Sequence, residues 1–436
     1  MTEYITSKEE PETNLRGYLI FLIGQWVSQF GSNVVGFSII WFLTVTTGST
    51  FILGLSTFLN FAPFLIATPI AGVFIDRWSR KKVIAFVDFM QAFFTLVLIG
   101  FFVMDIFSDL ELVAILLALN TVRALFGAFH TSAVDTLLPI MVPKKYYSRM
   151  FSVNNFVNGI LGGIAGPLIG AILLELFSLK TILWIDVITF LFAIVPTVLV
   201  HFPQVLKKDI ERKEKNPFRV EFTEGLQFII GKPGLFALLF VFAGANFFMP
   251  PFYIQLPLFV TSIHLGGASH LAFLFAIQQA GTLLGSLVMT IWKGFENHAR
   301  GVALSMFIAY VGFIIMLSAP IGYFEIIGLG LFIAGFTLPT VNASSEAIWA
   351  STVPRELLGR VYAVRRTLAQ ITAPVTMLLS GIVAEFIGLY TVLTLSALCG
   401  LLILGYSWFL TPLPEVEQSI QEPKEEIIEE AQPTLN

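Results

Sequence analysis

The sequence predicts an all-α integral membrane protein with twelve transmembrane helices in two six-helix halves. Three observations predict it: a composition poor in charge, apolar stretches of membrane-crossing length, and a segment that recurs at a constant offset. Of 436 residues, 56% are hydrophobic and only 12% are charged. A water-soluble chain carries about 25% charged residues, so lipid is the expected solvent. One crossing helix needs about 20 apolar residues. The stretch 17–75 holds no Asp, Glu, Lys or Arg and is far too long for one crossing. The polar turn TTGST at 46–50 divides it into two.

The first two crossings are therefore 17–45 and 51–75. A knot of charge follows, with Asp76, Arg77, Arg80, Lys81 and Lys82 inside seven positions, and the third crossing is 83–104. Short polar breaks then set off 112–139, 151–175 and 181–202. The segment 203–233 is the only long charged stretch in the interior, and six further runs follow it. They are 234–261, 269–292, 301–319, 323–351, 361–385 and 388–410. Long runs without strict alternation favour helices over a barrel.

The parts are thus a cytoplasmic tail 1–16, a helical bundle 17–202, a cytoplasmic linker 203–233, a second bundle 234–411 and an acidic cytoplasmic tail 412–436. Of 25 Lys and Arg, Lys180 alone falls in an outer loop and Arg123 alone falls deep in a helix, if the N-terminus starts inside. That bias orients both termini toward the cytoplasm of a plasma-membrane, multi-pass protein. The polar, acidic start MTEYITSKEEPET is not read as a cleavable leader. The net charge of −4 implies no nucleic-acid partner. The single cysteine, Cys399, excludes an intrachain disulfide. A monomer in the lipid bilayer is expected.

VPKKYYSRMFSV at 142–153 matches VPRELLGRVYAV at 353–364, an offset of 211. The same offset carries Asp135 onto Glu346 and Gly170 onto Gly381. Two related halves with a loop between them are the architecture of a two-lobed secondary transporter. No phosphate-cradling G-x-x-x-x-G-K-[ST] loop, no metal-ligand cluster and no nucleophile–base set stands out. No enzyme activity, cofactor or metal is expected. His130, alone in the fourth helix, is read as a packed residue.

Gly72-Val-Phe-Ile-Asp76-Arg77-Trp-Ser-Arg80-Lys81-Lys82 resembles the loop-2/3 signature of the major facilitator superfamily, with Ser79 where that family usually has Gly. Leu119, Arg123, Phe126 and Gly127 resemble the fourth-helix motif of its drug antiporters, with Phe126 in place of Gln. Gly162, Gly166, Pro167 and Gly170 resemble the fifth-helix antiporter motif, with Ala171 replacing its last Gly. Ala373 and Met377 stand at the matching positions of the second half, so the motif is confined to the first. The stretches 123–143, 185–190 and 224–239 are similar to the macrolide-efflux branch of drug:proton antiporters.

The resemblance implies a secondary active exporter of amphipathic small molecules, working by proton antiport and alternating access. It also implies a conformational latch of Gly72, Asp76, Arg77, Arg80 and Asp135, in which Asp76 meets the start of helix 11 and Arg80 meets Asp135. The plain alternative for that loop is a topogenic basic cluster. A lipid or siderophore exporter, an importer, or a non-transporting sensor are the rival functions.

The buried polar residues give the site. Arg123 lies about 11 residues, or ~16 Å, into helix 4, where an unpaired Arg costs ~2.5–3.5 kcal/mol and must face water or a partner. Gln29 and Asn246 lie at similar depth, and Asn342 lies nearer the inside. Family geometry places helices 1, 4, 7 and 10 around the cavity. The expected cavity set is therefore Gln25, Gln29, Asn33, Asn120, Arg123, Asn246 and Asn342, the amides serving equally well as interhelical glue. Trp26, Phe30, Phe126, Phe247 and Phe336 are candidate aromatic lining, with packing or a lipid-facing position the plainer reading for any one of them. For proton coupling the expected carrier is Asp186, tuned by Arg123 through water. Asp88 and Asp135 lie nearer the inner face, and a structural role for Asp186 stays open.

Overall fold

The computed structural model describes residues 13–75, 77–202 and 218–417, the side chains of 218, 369 and 370 excepted. Asp76 and the first part of the expected linker lie outside them. Twelve helices in the described residues are long and apolar enough to cross a membrane. They are α1 Leu15–Thr47, α2 Thr50–Ile75, α3 Arg80–Met104, α4 Asp109–Met141, α5 Lys144–Leu176, α6 Leu179–Leu199, α7 Pro233–Ile254, α8 Ala268–Ile291, α9 His298–Leu317, α10 Phe324–Thr352, α11 Leu358–Ile387 and α12 Leu389–Leu410. No strand occurs among the described residues. The expected all-α membrane architecture of twelve crossings holds.

Local chemistry sets the ends. Asn14 accepts a hydrogen bond from the Gly17 N–H at 2.9 Å and starts α1, while Gly48, at φ +57°, ends it in the left-handed region. A capping box of Ser108 and Glu111 starts α4, with the Ser108 N–H donating to Glu111 at 2.8 Å. Asn297 caps α9 through the Arg300 N–H at 2.8 Å.

Two crossings differ from the sequence reading for identifiable reasons. The seventh was expected to run without interruption to 261. Instead α7 stops at Ile254, and the chain continues as a short turn Leu256–Leu258 and a π turn Phe259–Ile263. Pro250, Pro251 and Pro257 each remove an N–H donor, so one continuous ladder cannot form. The fifth runs from Lys144 but contains a π turn at Leu161–Ala165, just before Gly166 and Pro167. Pro167 has no N–H to return to the preceding turn, and the widened turn absorbs the mismatch. The later part of the expected linker is itself a helix, Phe218–Ile230.

The described residues fold into two compact units, those within Met1–Gly48 and Ser56–Glu211 forming one and those within Ser49–Leu55 and Arg212–Asn436 the other. In the first unit α1 packs on α6 and α5, and α3 packs on α4 and α6. Its buried cluster includes Phe21, Leu22, Ile84, Val87, Leu137, Met141 and Val142. In the second, α10 packs on α8 and α9, and α11 packs on α7 and on the linker helix. Its buried cluster includes Leu235, Val302, Ile348, Trp349, Val353, Val361 and Val364.

The sequence repeat is also a structural repeat. Val142 and Val353 each leave a helix in extended conformation, each is buried, and each precedes a proline. Their N–H groups donate back to the carbonyl oxygens of Leu138 and Trp349, both at 3.1 Å. The same valine thus closes the fourth span of the first unit and the corresponding span of the second.

Candidate functional site

The polar residues of the first unit gather into two centres, each built round a buried carboxylate. The first belongs to Asp186 on α6. Its Oδ2 lies 2.8 Å from Arg123 Nη2 on α4 and 2.7 Å from Thr95 Oγ1 on α3. Its Oδ1 accepts from Ser32 Oγ on α1 at 2.6 Å. Four helices therefore meet at one ion pair. Arg123 sits mid-helix, where its charge demands a partner, and Asp186 supplies it by direct contact rather than through water. Charge-assisted bonds of this length are the strong kind, and this carboxylate holds three donors at once.

The second centre belongs to Asp88 on α3, 5% exposed and set a few turns nearer the 77–79 loop. Its Oδ1 lies 3.0 Å from His130 Nε2 on α4. Its Oδ2 lies 3.5 Å from Gln25 Nε2 on α1. Gln25 also places Oε1 at 3.1 Å from His130 Nε2 and Nε2 at 3.5 Å from Thr197 Oγ1 on α6. The same four helices meet again, but the nitrogen partner here is an imidazole. His130, expected as a packed residue, is the partner of a buried acid.

Close backbone packing fixes these helices in register. A Cβ at Gly31 of α1 would overlap the Thr189 side chain of α6. One at Gly24 would lie 2.8 Å from the Phe192 carbonyl oxygen. In the fifth-helix motif, a Cβ at Gly166 would sit 2.7 Å from Asn33 Cβ, and one at Gly170 would sit 2.9 Å from Phe37 Cδ1. Gly162 differs, since its nearest neighbour would be Asn33 Nδ2 at an ordinary 3.7 Å. Pro167 is buried in the same seam.

The remaining expected residues separate. Asn33 lies in that α1–α5 seam with Nδ2 buried and unpartnered. Trp26 donates Nε1–H to Asn154 Oδ1 at 2.9 Å. Gln29 is exposed, and Asn120 is half-buried. Asn246 and Asn342 belong to the second unit, half-buried and exposed respectively. Of the expected latch, Arg80 donates Nε–H to Thr136 Oγ1 at 3.0 Å, one residue beyond Asp135. Gly72 faces open space. Arg77 lines a cavity of about 740 Å³ with Phe74, Trp78, Lys82, Phe86 and Phe126.

The second unit carries its own polar cluster at the repeat position. Glu346, the counterpart of Asp135, takes an ion pair from Arg365 at 2.8 Å and a hydrogen bond from the Tyr362 hydroxyl at 3.1 Å. The Arg365 guanidinium also lies over the Trp349 and Tyr362 rings. Arg360 pairs with Glu224 and ties the linker helix to α11. Among the described residues no group of His, Cys, Asp and Glu is arranged to hold a metal ion.

Twelve apolar spans with an internal repeat, and buried charge gathered into a few paired centres, define a membrane transporter of the two-bundle class. The chain belongs to the Major Facilitator Superfamily, whose family model matches residues 21–319. It is 27% identical over 374 residues to macrolide efflux protein A of Streptococcus pyogenes, covering 86% of this chain and 90% of that one. It is 22% identical over 409 residues to the multidrug efflux pump Tap of Mycolicibacterium fortuitum, covering 92% and 97%. Among solved structures, a bacterial homologue of the iron transporter ferroportin in an inward-facing state aligns with a TM-score of 0.71 and 12% identity. That alignment covers 91% of this chain and 100% of the other. At that identity the likeness speaks for the fold.

Proposed function

We propose that this transporter exports uncharged or weakly charged amphipathic molecules of the macrolide kind, in exchange for protons, by alternating access. The observation that supports this reading is its likeness to a macrolide efflux protein along nearly the whole of both chains. The fifth-helix motif agrees with it: Gly166 and Gly170 let α5 pack closely on α1. The few buried charges agree as well. Arg123, the cation at mid-helix in the first unit, is already paired to Asp186 and is not available to fix a multiply charged guest. The bias of Lys and Arg toward one set of loops supports a cytoplasmic orientation for both termini.

The test is accumulation of radiolabelled erythromycin in an efflux-deficient bacterial host, with and without a protonophore. The expected result is low accumulation that the protonophore raises to the level of the empty host. Accumulation equal to that host, with the protein shown to be in the membrane, removes the macrolide assignment. Lipid or siderophore export would then lead.

A further inference from the structure

The two buried carboxylates of the first unit stand beside different nitrogen groups, a guanidinium and an imidazole. Arg123 stays charged at any physiological pH, so the Asp186–Arg123 pair is neutral as it stands. Protonating Asp186 would strand a guanidinium in the membrane interior, at a cost that opposes uptake. Asp88 with a neutral His130 carries one net negative charge, and a proton removes it. We propose that the exchanged proton binds at the Asp88–His130 pair, while Asp186 and Arg123 remain a fixed structural ion pair. This inference rests on the proton-antiport reading above.

The geometry assigns the atom. His130 Nε2 faces two acceptors, Asp88 Oδ1 at 3.0 Å and Gln25 Oε1 at 3.1 Å. The neutral ring therefore carries its hydrogen on Nε2, because a bare Nε2 lone pair would face two oxygens. Nδ1 is left with its lone pair and has no hydrogen-bond partner among the described residues. An incoming proton leaves a hydronium ion, whose O–H bond breaks as the Nδ1–H bond forms. The imidazolium then donates Nε2–H to the Asp88 carboxylate. Release reverses both bonds, and nothing is oxidised or reduced.

The surroundings suit a group that must both take and give a proton. From α1 the Gln25 amide meets the pair, and from α6 the Thr197 hydroxyl meets that amide. Tyr18 on α1 lies toward Asp135. On α4 the Asp135 charge reaches His130, and Arg123 is neutralised by Asp186. On α3 Lys81 is occupied by the Val200 carbonyl at 3.0 Å. Among the described residues no Lys or Arg pairs with Asp88. The His130 side chain is 21% exposed, against 6% for that of Asp88. Gln25 links the pair to α1, one turn before Gln29 of the expected substrate set, so a change of charge here is felt at the helix that would meet the guest.

Two measurements test the proposal. In ¹⁵N-histidine spectra of the purified protein, the signal lost in His130→Gln should change from a neutral Nε2–H ring to imidazolium between about pH 5 and 8. A His130 signal constant across that range overturns the proposal whether or not erythromycin is moved. In proteoliposomes, proton-gradient-driven uptake of erythromycin should be lost in both Asp88→Asn and His130→Gln, while exchange of labelled for unlabelled erythromycin persists. Gradient-driven uptake retained by either variant overturns it. If Asp88→Asn does not fold, His130→Gln decides alone, because its amide can still donate to Asp88. If the unaltered protein moves erythromycin without regard to the gradient, the antiport reading falls, and the His130 titration still shows whether the pair is a proton site.

Discussion

Asp186 and Asp88 lie in the same bundle, reached by the same four helices, and differ in one respect that decides their chemistry. Asp186 is held by a guanidinium and two hydroxyls at 2.6–2.8 Å. Asp88 is held by an imidazole at 3.0 Å and an amide at 3.5 Å. The first set is short, crowded and permanently charged. The second is longer and looser, and its nitrogen partner is an imidazole. Burial is common to both acids, and the nitrogen group beside each one is what separates them.

Removing one partner of each pair should give the widest separation. Arg123→Met leaves Asp186 buried without a cation, and about 3–5 kcal/mol of stability should be lost. Asp88→Asn leaves only neutral groups and should lose about 1–2 kcal/mol. Thermal unfolding in detergent, followed by size exclusion, reads both. Pairing Arg123→Met with Asp186→Leu should recover most of the first loss, and no recovery would mean that the pair is not the cause.

The hydroxyl groups sharpen the same contrast. Thr95→Val removes a short bond to a charged acceptor, a loss of about 1.5–3 kcal/mol. Thr197→Val removes a contact of 3.5 Å to a neutral amide and should lose less than about 1 kcal/mol. Equal shifts in melting temperature would erase the distinction between the two centres.

Packing gives a smaller effect with a definite location. Gly31→Ala drives a methyl group into Thr189 and should cost about 1–3 kcal/mol. It should also weaken the Asp186 centre before the Asp88 one, since Ser32 is the next residue. Gly162→Ala has room at 3.7 Å and should melt with the unaltered protein. Smallest among the charged positions should be Glu346→Gln in the second unit. Its partner is Arg365, but its own side chain is 54% exposed, so the loss should stay under about 1 kcal/mol. A larger drop would mark that cluster as more than a surface ion pair.

The twelve crossings were legible because hydropathy averages over a whole span and tolerates local error. The end of the seventh was not. Its apolar run continues past Ile254, and the break comes from Pro250, Pro251 and Pro257, which hydropathy does not weigh. The Asp186 centre was half legible: an Arg in mid-span needs a partner, and Asp186 was the acid best placed for burial. Nothing in the residue order prefers a direct 2.8 Å contact over a bridging water. The Asp88 centre was hidden for a different reason. Asp88 and His130 are each ordinary alone, and the packing of α3 on α4 brings them together. A His and an Asp placed at similar depth on consecutive antiparallel helices is the signal that was present and unused.

The Arg123–Asp186 pair has one more consequence, an electrical one. A unit charge carried across the full membrane potential changes energy by about 2.3 kcal/mol per 100 mV. An arginine in the middle of α4, moving by itself, would make the transport cycle strongly voltage dependent. Locked 2.8 Å from Asp186, it moves as a dipole with no net charge, and the field does almost no work on it. The pair therefore lets the bundle carry a guanidinium at mid-membrane while leaving its motion nearly blind to voltage.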